Sequence, residues 1–214
     1  MRREKSVESG SGVAIRTLTA LAFLFISLHA YGQQWAFEMW HDGRIVLDQG
    51  DTLRGSVKYD LQQDIVQFTS NNQTVEVFSA RKVLFFEIFD NTVRKYRQFY
   101  SLPFNAGQSS SYKSLVFFEL LENGKLSLLS RESVELRSQS TGYYGSFYTR
   151  QVLINKFFFL DEKGEVTEFV GNKNDLLSLF GKKSDDVEKY MRQHHLKIDD
   201  KYEFAQIVAY YNTL

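Results

Sequence analysis

The sequence predicts a mainly β (α+β) fold: about ten antiparallel meander strands in a sheet or barrel, followed by three short C-terminal helices. Three observations predict it. From Gly43 to Val170, short apolar runs of period two alternate with clusters of Gly, Asn and Asp. Phe, Tyr and Trp make up 15% of the chain, against a single proline, Pro103; such residues suit a pleated, half-buried surface. Beyond Val170 the apolar period changes to that of a helix.

The strands follow in order. Residues 33–41 are a Trp-containing lead-in with no assigned role. Arg44 to Leu47 is a short apolar strand, and Thr52 to Tyr59 returns after the turn Asp48-Gln49-Gly50-Asp51. Gly43, Gly50 and Gly55 read as turn or bend residues. Ile65 to Thr69 and Thr74 to Phe78 flank Asn71-Asn72-Gln73. Val83 to Phe89 is apolar on both faces except at Glu87, which places it at the middle of the sheet. Thr92 to Leu102 follows, with charges at Arg94, Lys95 and Arg97, and Leu102-Pro103 breaks the pattern. A second domain split near Pro103 is an alternative. Residues 104–113 are a polar Gly/Ser-rich loop.

Leu115 to Leu121 and Leu126 to Ser130 flank Asn123-Gly124, a hairpin signal whose two turn positions favour positive φ. Residues 137–149 read as a loop. Val152 to Leu160 and Glu165 to Val170 make the last hairpin, across Asp161-Glu162-Lys163-Gly164. Asn174 or Asp175 caps a helix over Leu176 to Phe180 that Gly181 closes. Ser184 opens a second, with Val187, Tyr190, Met191 and His194 at i, i+3, i+4 and i+7. Asp200 with Glu203 suggests a capping box for a third, whose apolar face is Phe204, Ile207, Val208 and Tyr211. Helices this short need docking to be stable. Three segments result: a leader over residues 1–32, an antiparallel β domain over 33–170, and a helical appendage over 171–214 that packs on the sheet.

The leader reads as a signal peptide. Arg2, Arg3, Lys5 and Arg16 precede the uncharged run Leu18 to Leu28, and Ala30-Tyr31-Gly32 places small residues at −3 and −1. The run is shorter than the roughly 18–20 residues that span a bilayer. Cleavage is expected before Gln33, giving an exported chain with a periplasmic or outer-membrane-associated location. The stretch Met1 to Arg16 is long for an n-region, so a later start codon or an uncleaved anchor stays open. Arg2-Arg3 lies too far from the apolar run, and too close to Glu4, for a good twin-arginine signal. No cysteine follows the apolar run, so the chain is not a lipoprotein.

Removing 32 of 214 residues leaves 182, enough for a good core. The leader holds four of the 26 basic and two of the 26 acidic groups, so the mature chain carries a formal charge of −2. That balance argues against a nucleic-acid partner, which needs clustered Lys and Arg, and against adsorption to an anionic membrane. The chain is cysteine-free, which removes thiol catalysis, thiolate zinc sites and redox relays.

Motifs for chemistry are weak, and no catalytic residue, metal ligand or cofactor is assigned. His194-His195 with Asp199 and Asp200 are the best metal candidates, but adjacent helical histidines point about 100° apart. His41 beside Asp42 fits a strand entry better than a dyad. Ser79-Ala80-Arg81-Lys82 and Ser110-Ser111-Tyr112-Lys113 match Ser-x-x-Lys, yet neither falls on a helix turn. Turn chemistry accounts for most aspartates. Glu87 and Glu119 lie inside apolar strands, and as a buried pair they would do acid–base work; the simpler reading is solvent exposure or pairing with a neighbouring Arg. Asn72-Gln73-Thr74 is a glycosylation sequon.

The best candidate contact surface is the aromatic loop Thr141 to Tyr148, with Tyr143, Tyr144, Phe147 and Tyr148 as its contact residues. Exposed aromatics on Gly-hinged loops bury large area at low entropy cost. The competing reading, which carries more weight, is a loop that plugs the open end of the sheet.

Two regions together carry a resemblance. One is Gly43-Arg-Ile-Val-Leu with Gly50-Asp-Thr-Leu-Arg-Gly55-Ser-Val-Lys-Tyr59. The other is Lys173-Asn-Asp-Leu-Leu, Phe180-Gly181-Lys182-Lys183 and Tyr210-Tyr211-Asn212. This resembles a group of exported Bacteroidota proteins with no assigned function. The resemblance implies a Gram-negative envelope location and carries no active-site residue across. The expectation is a non-enzymatic envelope protein acting through protein–protein contacts. The alternative is a β module binding an apolar or glycan ligand in a cavity lined by Phe85, Phe86, Phe117 and Phe118. A hydrolase built from remote residues comes third.

Overall fold

Ten antiparallel strands form one open sheet in the computed structural model, which describes residues 35–71, 74–105, 112–140 and 147–214. The leader, the sequon's Asn72 and Gln73, and Tyr143 and Tyr144 lie outside the described residues. A short 3-10 turn, Ala36–Glu38, leads in. The strands are β1 (His41–Leu47), β2 (Thr52–Asp60), β3 (Ile65–Thr69), β4 (Glu76–Ser79), β5 (Val83–Asp90), β6 (Lys95–Phe104), β7 (Ser114–Glu122), β8 (Ser127–Ser140), β9 (Phe147–Leu160) and β10 (Val166–Phe169). Their spatial order is β10-β9-β8-β7-β6-β5-β1-β2-β3-β4. Every pairing joins consecutive strands except that of β1 with β5.

The sheet curls in two opposite senses. One face of β1 to β7 buries Ile45, Val57, Tyr59, Phe86, Ile88, Phe99 and Phe117 in a single cluster. That half rolls up far enough for Tyr59 on β2 to hydrogen-bond Glu132 on β8, at 2.9 Å. Phe86 and Phe99 stack at 4.6 Å, and Phe117 meets Phe86 edge-on at 5.1 Å. On the opposite face of β6 to β10, Val116, Phe118, Leu129 and Phe158 form a separate cluster with Leu102, Phe104 and Val166. Here β10 comes back toward β6.

Glycine permits the first curl. Gly43 on β1 and Gly55 on β2 face each other in register. A Cβ at Gly43 would lie 2.3 Å from the Glu87 carbonyl oxygen, and one at Gly55 would lie 2.5 Å from that of Thr69. Both glycines are strand-interior residues where backbones crowd, not the bends expected from sequence. Gly50 alone of the three is a turn glycine, at φ 95°.

Side chains close the first half where strand pairing stops. β7 and β8 pair from Glu119 with Ser130 outward to the hairpin, but not at Phe117. There the Phe117 N–H donates to Asp64 Oδ1 at 2.9 Å, and Arg131 Nη1 donates to the Phe117 carbonyl at 2.7 Å. Arg131 also bonds Asp64 Oδ1 at 2.8 Å and the Leu61 carbonyl. The β2–β3 turn is thereby fixed to the β7–β8 fork.

Three helices cover β7 to β10 on the face continuous with the first cluster: α1 (Lys173–Phe180), α2 (Ser184–His194) and α3 (Lys201–Thr213). Leu176, Phe180, Val187, Met191, Phe204, Ile207 and Val208 bury against Leu128 and Phe159. The cap of α1 is Asn172, two residues before Asn174 and three before Asp175, the caps expected; its side chain accepts from Asn174 N and Asp175 N, and Asp175 answers as a capping box. Asp200 caps α3 as expected, but the Glu203 carboxylate accepts from Lys197 N instead of completing a box.

Other expectations need correction. The Asn123-Gly124 hairpin exists, but neither residue has positive φ. The connection is wider and follows a register shift at Leu120/Glu122, and it is held by α3. Asn212 accepts from Leu126 N and donates to Leu126 O, both at 3.0 Å, and a Cβ on Gly124 would collide with its amide. Pro103 is no breaker: it pairs with Leu115 inside β6, and no split occurs there. The largest error is the loop expected over 137–149. Residues up to Ser140 and from Phe147 are strand, paired in unbroken register from Ser127–Leu160 to Ser140–Phe147. Polar residues populate both faces of residues 131–140, so period-two hydrophobicity is silent there.

Gly43→Ala tests the close approach directly. The variant is expected to lose about 1–3 kcal/mol of stability from overpacking, read as a lowered urea midpoint. An unchanged midpoint would contradict the crowding.

Candidate functional site

Two places stand out: a buried ionic cluster where the two curled halves meet, and a two-stranded ribbon that leaves the sheet.

The cluster is built around Arg97 on β6, which is only 4% exposed. Alternation along β6 turns Arg97 to the same face as Phe99, toward Tyr59 and β8. An arginine has five N–H donors, and all five are used. Nε and Nη2 grip the Glu119 carboxylate at 2.7 and 2.8 Å. Nη2 also donates to Glu132 at 2.6 Å, and Nη1 donates to Asp90 and to Tyr59 Oη, each at 3.0 Å. Lys201, the first residue of α3, adds its ammonium to Glu119 at 3.1 Å and to Glu132 at 3.3 Å. Ser130 Oγ donates to Glu119 at 3.2 Å. Three carboxylates thus share two cations, and strands β2, β5, β6, β7 and β8 meet helix α3.

Burial pushes the Glu119 carboxyl up, but the charges and hydrogen bonds of Arg97 and Lys201 more than offset it and leave it below the ordinary glutamate range. Asp90 behaves likewise: burial raises it, and the hydrogen bonds of Thr92 and Arg97 bring it below the usual value. Burial pushes the Tyr59 phenol well above its ordinary range despite the nearby Arg97 charge. Both carboxylates therefore stay ionised at neutral pH and Tyr59 stays neutral. A proton-transfer role needs a carboxyl raised toward neutrality, and these two are shifted the other way. All five guanidinium donors are taken up within the chain, and the cluster ties these strands together.

Glu87 and Glu119 do not converge. Glu87 sits on the opposite face, with Arg44 Nε at 3.2 Å and Gln98 Nε2 at 2.7 Å. The four phenylalanines proposed to line a cavity are also separated. Phe86 and Phe117 are packed in the first cluster, Phe118 in the opposite one, and Phe85 stacks on Tyr100. A mostly apolar cleft lined by Tyr100, Leu102, Leu120, Leu129 and Leu160 holds about 230 Å³. Ligand pockets usually run from about 300 Å³ upward. A cleft of about 280 Å³ beside the cluster is closed on one side by Tyr202, whose ring lies 4.2 Å from Lys95 Nζ.

The remaining motifs are dispersed. His41 is buried, with Nε2 2.7 Å from the Ala36 carbonyl. Asp42 lines an open cleft with Arg44 and Arg54. The His194 ring lies 4.4 Å from that of Tyr190, tilted by 47°, and His195 ends α2 at φ 55°. Lys82 pairs with Asp48 rather than with Ser79. Among the described residues no group of three or more His, Cys, Asp or Glu is placed to hold a metal ion, and no helix is long and apolar enough to cross a membrane.

The ribbon is the outer part of β8 and β9. β7 pairs with β8 only as far as Ser130, and β10 pairs with β9 only from Phe157. Residues 131–140 and 147–156 pair with each other alone. Of the four predicted contact residues, Phe147 and Tyr148 lie at the outer end of this ribbon, 72% and 47% exposed. They plug nothing. Tyr148 Oη donates to Gln139 at 2.7 Å, which fixes its ring at the strand end. Sequence reasoning missed Leu136, which is 71% exposed on the partner strand.

None of the protein-family models, curated proteins or solved structures compared with the chain matches it.

Two outcomes follow from the cluster. Arg97→Met leaves three carboxylates with only Lys201, so unfolding in urea should show a loss of about 3–5 kcal/mol; a loss within error of zero would contradict the assignment. The pH dependence has a definite sign. Carboxyls whose folded pKa is depressed bind protons more readily in the unfolded chain, so their contribution is complete above about pH 4.5 and is lost as acid passes through the folded values. Glu119→Gln should flatten that acid limb in a pH series of thermal melts, and an equally steep limb would refute it.

Proposed function

We propose that this chain is an exported, non-enzymatic envelope protein that acts through protein contacts made by the β8–β9 ribbon. The observation that carries the reading is a set of exposed apolar side chains, Phe147 and Leu136 on one face of the ribbon and Tyr148 on the other, held on a strand pair that no third described strand covers. Large rings fixed on regular backbone lose little entropy on binding and bury large area. The saturated ionic cluster and the separation of Glu87 from Glu119 argue against an active site built from those groups. Export rests on the order of charge, apolar run and small residues before Gln33.

Native mass spectrometry of the protein purified gently from an envelope extract tests both parts. The expected species begins at Gln33 and retains a second polypeptide, which is lost from a Phe147→Ser/Tyr148→Ser variant with an unchanged circular dichroism spectrum. A full-length mass would remove the export reading. A bound small molecule indifferent to those substitutions would replace protein contact with ligand carriage.

A further inference from the structure

The outer edge of β8 has a chemistry that identifies one occupant. Phe117 turns its N–H and C=O toward Asp64 and Arg131, on the β8 side of β7. Two residues on, Glu119 stands opposite Ser130, so by alternation its peptide groups turn the same way. In an antiparallel ladder the groups of alternate residues share a side. With no register shift along β8, the N–H and C=O of Val134, Leu136 and Ser138 therefore point away from β9, at an edge where no described strand lies. Such a row is a template for another strand.

The side chains along that edge are self-complementary. With an antiparallel copy of β8 laid across a two-fold axis at Leu136, Leu136 opposes Leu136, and Val134 opposes Ser138. Both pairs present their outward groups and form the hydrogen-bonded pairs of the ladder. Glu135 then opposes Arg137, twice by symmetry, at the non-hydrogen-bonded positions where side chains lie closest. A shift of the axis by one residue either way brings Glu135 against Glu135 or Arg137 against Arg137, so charge fixes the register.

The single chain leaves those charges poorly served. Arg137 sits directly opposite Arg150 in the ribbon. Its contact with Glu135 is long, at 3.8 Å, and both side chains are about half exposed. The β9 edge has no such complementarity, because residues 147–156 carry Arg150 and Lys156 and no acid.

We infer that the chain self-associates as a two-fold dimer by antiparallel pairing of β8 with β8 over Ser133–Gln139, making a continuous four-stranded ribbon. The inference rests on the reading of the ribbon as a contact element but uses its edge, whereas partner capture uses the aromatic end.

Sedimentation equilibrium of the purified full chain across a dilution series reads the dimer. Wild type is expected to dimerise, Glu135→Arg and Arg137→Glu each to weaken the dimer about tenfold, and the double exchange to restore it. Both side chains are about half exposed, so circular dichroism should hold in all variants, as should the urea midpoint read at concentrations where every variant is monomeric. A monomeric wild type, a dimer indifferent to the single reversals, or a double exchange that fails to recover would each overturn the pairing. Phe147→Ser/Tyr148→Ser should leave the dimer intact. Loss of the dimer with partner capture preserved removes this inference alone, and the converse result removes only the broader reading.

Discussion

The guanidinium of Arg97 is the point on which the rest of the structure depends. A charge taken out of water at this depth has to be matched group by group, because the cost of leaving it unpaired exceeds the strength of most single contacts. Here the matching groups come from β2, β5, β7 and β8, and Lys201 of α3 joins the same carboxylates. The geometric demands of five donors specify how far the sheet must roll. Apolar packing alone tolerates slippage of one ring against another; a saturated guanidinium does not.

Strand β7 marks where the sheet changes the face on which it buries its core. At β7, Phe117 belongs to one apolar cluster and Phe118, its neighbour, to the other. A strand buried on both faces over residues 116–119 cannot be the wall of only one half. The helices cover the outer face of the second half, and Asn212 secures them at the β7–β8 turn. What neither layer covers is the distal ribbon, and there the chain presents rings and an open edge instead of a core.

Much of the fold was legible in the sequence, because strands of a meander announce themselves by local alternation and turn residues. The count of strands, the change of period after Val170 and the Asp200 cap came from such signals. The ionic cluster was not legible. Asp90 looked like an ordinary turn aspartate, since it does accept from Thr92 N, and Arg97 looked like one of three charges on a solvated strand. Only long-range geometry brings Tyr59, Arg97 and Glu132 together. Glu119 in an apolar run was the one visible sign, and an Arg at an alternate position of a preceding strand was its available partner. The outer ribbon, apart from the expected strand from Val152, was missed for the opposite reason: polar residues populate both faces of 131–140, and pairing rather than burial makes them strand. At the predicted contact site, Phe147 and Tyr148 could be followed to exposed positions, while Tyr143 and Tyr144 lie outside the described residues.

The strand order carries a kinetic consequence. Eight of the nine pairings join neighbours in sequence, so most of the sheet can zip from hairpins with small loop-closure entropy. The pairing of β1 with β5 is the exception, because it must enclose β2, β3 and β4 before any of its hydrogen bonds form. The Gly43 backbone lies on that seam, against the Glu87 carbonyl. Of all the pairings, the one at this seam carries the largest loop-closure entropy, so the seating of seven-residue β1 against eight-residue β5 is the one that contact order expects to form last.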